Sequence, residues 1–200
     1  CSWCEKMDGE ILSSPDFVNA IGPKFVFYKA DFPVYKTIDR DISKKNDELK
    51  DKYNIVGFPT IVLLDPQMHE FAKLNYREGG AKSYADYITK LLQEQKDFDD
   101  NSKNLPKQNL QNLQSMYERA SRNGLVDIQQ KIMQEGLARG DVAFFMKEKY
   151  RYLLNHGGIQ TTEAKELRGK ILALDPSNKR RLHFDVALLD YEYYSRNLKT

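Results

Sequence analysis

Two cysteines placed three residues apart are the side chains of this sequence best suited to chemistry. The 200-residue chain has only these two, Cys1 and Cys4, within the sequence CSWC. Such a dithiol works when one thiolate attacks a disulfide sulfur and the second thiol resolves the mixed disulfide that forms. If a helix begins at the motif, its free N–H groups and dipole stabilise the first thiolate, and the spacing brings the second sulfur to the same face. Cys1 is therefore the predicted nucleophile and Cys4 the predicted resolving thiol.

Structural uses of the cysteine pair are less favoured. A disulfide that closes so short a loop would constrain little of the unfolded chain. A zinc site would need two more ligands, and the three histidines, His69, His156 and His183, are scattered along the chain. We therefore expect no metal, and nothing in the sequence implies an organic cofactor.

The composition limits the classes of partner. The 31 basic and 29 acidic side chains leave a net charge of +2, which does not indicate nucleic-acid binding. No run approaches the roughly 18 apolar residues of a membrane span. The 40% of hydrophobic residues suffice for a packed core. The composition therefore favours neither nucleic-acid binding nor a membrane span.

The first half of the chain alternates helix and strand patterns. Ser14 followed by Pro15 predicts the start of a helix that ends near Gly22. Residues 24–31 (KFVFYKAD) and 60–64 predict strands, and 70–78 predicts a strand returning as a hairpin. Further helices are predicted over 44–55, with Leu49, Tyr53 and Ile42 facing inward, and after the glycines at 79–80.

A second motif gives the cysteines a structural context. The sequence VGFPT (56–60) directly precedes the predicted buried strand 60–64. Together, CSWC and GFPT resemble the motifs of the thioredoxin superfamily. Within it, residues 1–95 look like the exported bacterial thiol oxidoreductases that include the C-terminal domain of DsbD and DsbH-type proteins. The matching positions are Cys1, Cys4, Met7, Leu12, Pro15, Val18, Phe25, Val26, Asp31, Tyr53, Gly57, Pro59, Thr60 and Asp65, with Gly79 or Gly80 before the last helix.

The resemblance implies a site and an activity. It implies a cis Phe58–Pro59 bond beside the dithiol and a Phe58 backbone that pairs with an extended substrate segment. Trp3 is predicted at the rim of the site, where an exposed indole can meet substrate, with local packing as the alternative. The implied activity is thiol–disulfide exchange on protein substrates that carry disulfides or thiols, with a second dithiol protein as electron donor or acceptor. The reductase direction is favoured, and the implied location is outside the cytoplasm, in a bacterial periplasm, with the cytoplasm as the alternative.

Two departures from the family pattern matter. Ser2 and Trp3 stand between the cysteines instead of the Gly-Pro of thioredoxins, so a redox potential cannot be transferred. The family also places a strand directly before the dithiol, between the strands expected at 25–31 and 60–65. We expect that strand upstream of Cys1, or another segment in its place, since two open sheet edges would remain without it.

The second half of the chain reads as helix throughout. A polar stretch at 98–108 predicts a linker between a thioredoxin-like domain at 1–97 and an all-α domain at 109–200. Five apolar stripes predict five helices, arranged as a bundle or as a tetratricopeptide-like array without a regular 34-residue period. This domain could dock a partner. The rival hypothesis for the whole chain is accordingly a binding or scaffold protein whose Cys-x-x-C is not catalytic.

Overall fold

The computed structural model describes residues 1–33 and 37–197, which fall into two compact units, Cys1–Asp99 and Asp100–Thr200. The first unit contains a small sheet and helices, and the second is helical. This confirms the predicted order of an α/β domain followed by an all-α domain. No helix in the described ranges combines the length and the apolar character needed to cross a bilayer.

The first unit begins with helices that carry the cysteines. Helix α1 (Ser2–Met7) continues as a π-helical turn (Asp8–Leu12), and α2 (Pro15–Ile21) follows. Ser14 is the N-cap and Pro15 the first helical residue, as predicted, because a proline at that position gives up no helical hydrogen bond. Helix α2 passes into a 3₁₀ turn (Gly22–Lys24).

A hairpin and two longer helices complete the first unit. Strand β1 (Ile61–Leu64) pairs antiparallel with β2 (Glu70–Leu74), which confirms the predicted hairpin. Helix α3 (Arg40–Lys52) starts earlier than predicted, because the Asp39 side chain accepts hydrogen bonds from the first backbone N–H groups. Helix α4 spans Gly80–Ser102. The buried core shared by these elements consists of Met7, Ile11, Phe17, Ile21, Leu63, Leu74, Ala81, Tyr84, Ala85 and Ile88.

The predicted strand at 24–31 is wrong. The segment after Lys24 has extended backbone at Phe25 but forms no strand, and Val26, Phe27 and Tyr28 are exposed. A strand needs a hydrogen-bonded neighbour, and no described segment pairs with this one. For the same reason β1, paired on one side only, is half-buried apart from Leu63 and not buried on both faces.

Helix α3 is joined to this extended segment through a polar residue. Asn46 is fully buried; it accepts a hydrogen bond from the Tyr28 hydroxyl (2.8 Å) and donates one to the Asp31 carbonyl (2.9 Å). Tyr53 is buried as predicted, but Ile42 is exposed. The inward stripe of α3 is therefore centred on an asparagine.

Part of the predicted linker at 98–108 is helical. Helix α4 continues through it to Ser102, with Phe98 buried, and a 3₁₀ turn (Leu105–Lys107) follows with Leu105 buried. Two apolar side chains of this stretch, seven residues apart, are therefore buried, although most of its other residues are polar.

The second unit contains the five helices that the apolar stripes predict. They are α5 (Leu110–Arg122), α6 (Val126–Ala138), α7 (Ala143–His156), α8 (Thr162–Ala173) and α9 (Leu182–Asn197). Each helix packs on the next along the chain, and α7 also packs on α9. Buried Asp175 organises the turn into α9 by accepting hydrogen bonds from the backbone N–H groups of Arg180 (2.9 Å) and Leu182 (3.2 Å).

Candidate functional site

The two cysteines lie at the start of helix α1, one turn apart. Cys1 is the N-cap residue, and its carbonyl accepts hydrogen bonds from the backbone N–H groups of Cys4 (3.0 Å) and Glu5 (3.1 Å). Cys1 is exposed and Cys4 is half-buried, and both are free thiols. The more exposed residue is thus the one that the sequence predicts to attack, and the less exposed residue is the one predicted to resolve.

The GFPT segment lies beside Cys1, although Phe58 is 57 residues further along the chain. The Cys1 thiol donates a long hydrogen bond to the Phe58 carbonyl, with 3.8 Å between Sγ and O. The Phe58–Pro59 peptide bond is cis, the isomer that the family resemblance implies. The Thr60 hydroxyl closes the turn by donating to the Gly57 carbonyl (2.7 Å). The structure therefore brings three predicted site residues, Cys1, Phe58 and Pro59, to one place.

The Phe58 side chain has a neighbour that the sequence reading missed. Its ring packs against Phe32 with 5.0 Å between centroids, and it remains 46% exposed. Phe32 follows the extended segment at 25–31, and no local pattern relates it to a residue 26 positions later. The ring pair forms an aromatic surface next to the Phe58 carbonyl that faces Cys1.

Trp3 is exposed beside the dithiol and takes part in a second aromatic pair. Its indole is 53% exposed and lies 5.4 Å from the Tyr76 ring, centroid to centroid. The Lys6 ammonium lies over both rings, 5.4 Å from the Trp3 centroid and 5.0 Å from the Tyr76 centroid. Trp3, Pro59, Tyr76 and Glu78 line an open groove. Trp3 is therefore placed on a surface and not in the core.

Tyr76 links this surface to two charged side chains. Its hydroxyl donates a 2.6 Å hydrogen bond to Glu10. That hydrogen bond, together with burial, raises the pKa of Tyr76, and the hydrogen bond with Tyr76 and the charge of Glu10 raise the pKa of Lys6. The alternation of residues 70–78 predicts that Tyr76 lies in a strand, on the same face as Ala72 and Leu74. Strand β2 ends at Leu74, however, and leaves Tyr76 free to turn toward α1.

No group of three or more histidine, cysteine or acidic side chains in the described ranges could hold a metal ion. The chemistry that the arrangement can support is that of the dithiol itself. It combines an exposed thiol, a half-buried thiol one helical turn away, and a carbonyl and aromatic surfaces beside them.

The family profile of the thioredoxin-like domain matches residues 1–96. Residues 1–96 are a thioredoxin-like domain. This confirms the family that CSWC and GFPT indicate.

Two curated relatives from Chlamydia pneumoniae match the chain. The thioredoxin-related protein DsbJ is 24% identical over 190 residues, which cover 94% of this chain and 54% of DsbJ. The disulfide bond reductase DsbH is 32% identical over 92 residues, which cover 46% of this chain and 55% of DsbH. The chain thus spans about half the length of the curated relatives it matches. The DsbJ alignment extends through the helical unit, for which the sequence motifs indicate no family.

A solved structure titled DsbH Oxidoreductase also matches part of this chain. The two sequences are 31% identical, and the alignment covers 46% of this chain and 65% of the solved chain, with a TM-score of 0.45.

Proposed function

We propose that this chain is a thiol–disulfide oxidoreductase that reduces disulfides in protein substrates. The observation that carries the proposal is the placement of an exposed Cys1 thiol at the start of α1, 3.8 Å from the Phe58 carbonyl. A half-buried Cys4 lies one turn further along the same helix. This is the arrangement that dithiol exchange requires.

The reaction proceeds by two exchanges of sulfur partners. The Cys1 thiolate attacks one sulfur of the substrate disulfide, a new S–S bond forms to Cys1, and the other substrate sulfur leaves as a thiolate and takes up a proton. The Cys4 thiol then loses its proton and attacks Cys1 Sγ, which releases the second substrate thiolate and leaves a Cys1–Cys4 disulfide. The substrate gains two electrons and the protein loses two. A partner dithiol protein restores the reduced form by the same steps in reverse.

Phe58, Pro59 and Trp3 are proposed to hold the substrate. The Phe58 backbone lies beside the Cys1 thiol, so an extended segment hydrogen-bonded to it would present its disulfide to Sγ. Pro59 has no N–H to leave unpaired at this edge. Trp3 offers an exposed indole on the groove that Pro59 also lines.

The direction of transfer and the location belong to the same proposal. The reductase direction is supported by the name of the 32% identical relative, a disulfide bond reductase. An exported, periplasmic location is supported by the likeness to exported thiol oxidoreductases and by the lack of other cysteines that an oxidising compartment could mispair. Redox titration against glutathione tests the direction. A potential near that of thioredoxin, about −270 mV, supports a reductase, and one well above it, near about −120 mV, contradicts it.

Insulin reduction in the presence of a dithiol donor tests the activity. We expect the wild-type protein to accelerate precipitation of the insulin B chain, and Cys1→Ser to reduce the rate to that of the donor alone. Circular dichroism establishes that the variant is folded. No acceleration by the wild-type protein, or full acceleration by Cys1→Ser, would contradict the proposal and favour the binding or scaffold role.

A further inference from the structure

The groove beside the dithiol has a chemical character that the proposed function does not specify. Three of its lining side chains, Trp3, Pro59 and Tyr76, provide ring surfaces, and the fourth, Glu78, provides a carboxylate. Glu78 makes neither a hydrogen bond nor an ion pair with any residue in 1–33 and 37–197. The groove is therefore an aromatic surface bordered by the Glu78 carboxylate, which could form an ion pair with a cationic ligand.

The other acid near the groove is already engaged. Glu10 accepts the 2.6 Å hydrogen bond from the Tyr76 hydroxyl and also acts on Lys6 through its charge. The charges of Glu10 and Glu78 both act on the single ammonium of Lys6 and raise its pKa, after the larger effect of the hydrogen bond with Tyr76. The formal charge of these three groups is −1, which favours a cation in the groove.

The aromatic rings already bind a cation from their own chain. The Lys6 ammonium lies 5.0 Å from the Tyr76 centroid and 5.4 Å from the Trp3 centroid, within the range in which an aromatic quadrupole attracts a cation. An exposed indole that leaves about half of its surface open can accept the aliphatic stem of a lysine or arginine as well.

We propose that the groove is a specificity subsite for a lysine or arginine side chain adjacent to the reactive cysteine of the substrate, with Glu78 as the residue that selects the charge. The inference rests on the proposed function, because it concerns the substrate of that same dithiol. The aliphatic stem packs on Trp3 and Pro59, and the cationic end lies near the Glu78 carboxylate.

Short peptides with one activated disulfide test the subsite on the full protein. Each peptide carries a single cysteine bonded to 5-thio-2-nitrobenzoate, with lysine, norleucine or glutamate next to the cysteine, on the N-terminal side in one series and the C-terminal side in the other. The Cys1 thiolate attacks the peptide sulfur, and thionitrobenzoate leaves with the electron pair and is measured by absorbance. Norleucine matches the length of lysine without its charge.

We expect the lysine peptide of at least one series to react about fivefold faster than its norleucine match, and the glutamate peptide to react slowest, as a solvent-exposed ion pair allows. Glu78→Gln should bring the lysine and norleucine rates to within about twofold of each other. Glu48, in α3, has an exposed side chain. Glu48→Gln therefore makes the same charge change and should keep the wild-type preference. Lys6→Met removes the competing cation and should increase the preference for lysine.

Failure of the subsite and failure of the proposed function give different results. Equal rates for lysine and norleucine peptides in both series, or a lysine preference that Glu78→Gln leaves unchanged, would overturn the subsite alone. Release of thionitrobenzoate from every peptide no faster than with Cys1→Ser would overturn the proposed function, and the subsite with it.

Discussion

The Cys1 thiol lies beside a backbone carbonyl, and an exposed indole lies two residues along the chain. The Phe58 oxygen is 3.8 Å from Cys1 Sγ, and Trp3 remains 53% exposed despite its contact with Tyr76. An exposed tryptophan adds little to folding but offers a large apolar surface to a ligand. Its value at this position is therefore expected in substrate binding.

Replacement of Trp3 tests that expectation. Trp3→Ala should raise KM for insulin about three- to tenfold and leave kcat within about twofold, because an aromatic contact is worth about 0.5–1.5 kcal/mol and involves no reacting atom. The measurement is steady-state reduction at varied insulin concentration. Tyr191→Ala removes an exposed ring from α9 and serves as the control. Unchanged KM in Trp3→Ala would remove Trp3 from the substrate site.

A buried tyrosine makes the stability of the first unit sensitive to alkaline pH. Burial raises the pKa of Tyr84 to about 12, and its hydroxyl donates to the Asn75 carbonyl (3.0 Å). The neutral phenol is thus favoured in the folded state, so its contribution is complete below pH 10 and is lost as the pH rises from 10 to 12. Burial raises the pKa of Tyr117 to about 12 in the second unit in the same way.

Denaturant unfolding followed between pH 9 and 12 measures this effect. The unfolding midpoint of the wild-type protein should fall steeply above pH 10, and Tyr84→Phe should reduce the slope because it removes one titrating phenol. Tyr191→Phe removes an exposed phenol and should leave the slope unchanged. A wild-type midpoint that stays constant to pH 12 would contradict the assignment.

At this scale the sequence identifies the candidate site residues but not all of their surroundings. The two motifs can be recognised from residue types and spacing alone, and they contain Cys1, Cys4, Phe58 and Pro59. The contacts of Trp3 with Tyr76, and of Tyr76 with Glu10, join residues 73 and 66 positions apart. Such contacts arise from how the chain folds after β2 ends at Leu74, and no local pattern encodes them.

Among the elements, helix α6 packs closely on α7 at a glycine. A Cβ atom on Gly136 would overlap the buried ring of Phe145. The glycine is therefore required by the close approach of the two helices, although glycine within a helix is otherwise unfavourable by about 1 kcal/mol. Gly169, in α8, is exposed and has open space around the same position.

Two alanine substitutions should consequently have opposite effects. Gly136→Ala should lower the free energy of unfolding by at least about 1 kcal/mol, because overpacking outweighs the gain in helix propensity. Gly169→Ala should raise it by about 0.5–1 kcal/mol. Chemical denaturation monitored by circular dichroism gives both values. A stabilised Gly136→Ala would show that α6 and α7 are not in close contact.

Elements could be predicted where their stabilisation is local. The five helices of the second unit follow from apolar stripes, glycine breaks and the Asp175–Pro176 turn. The strand at 24–31 could not be settled from its alternation, because strand formation depends on a neighbouring segment. The inward face of α3 was misread at Ile42, because the buried residue is Asn46, whose hydrogen bonds to residues 28 and 31 make its burial favourable.

For the whole molecule, the candidate dithiol site lies within one unit. Both cysteines belong to the thioredoxin-like domain, and the helical unit contains none. The fold class of both halves was predictable, because alternating elements and uninterrupted helical stripes differ over long windows. The function of the helical unit could not be predicted, because its sequence contains no residue pattern that indicates a reaction. Its presence in the DsbJ alignment shows that the combination occurs in another protein.

The proposal for the whole molecule depends on which thiol attacks. Cys4→Ser removes the resolving thiol, so the mixed disulfide between Cys1 and the substrate should persist. Cys1→Ser leaves only the half-buried thiol and should form no such adduct. The most direct measurement is mass spectrometry of each variant after reaction with a disulfide-bonded substrate peptide. We predict an adduct mapped to Cys1 in Cys4→Ser and none in Cys1→Ser, whereas an adduct at Cys4 in Cys1→Ser, with none at Cys1 in Cys4→Ser, would contradict the account.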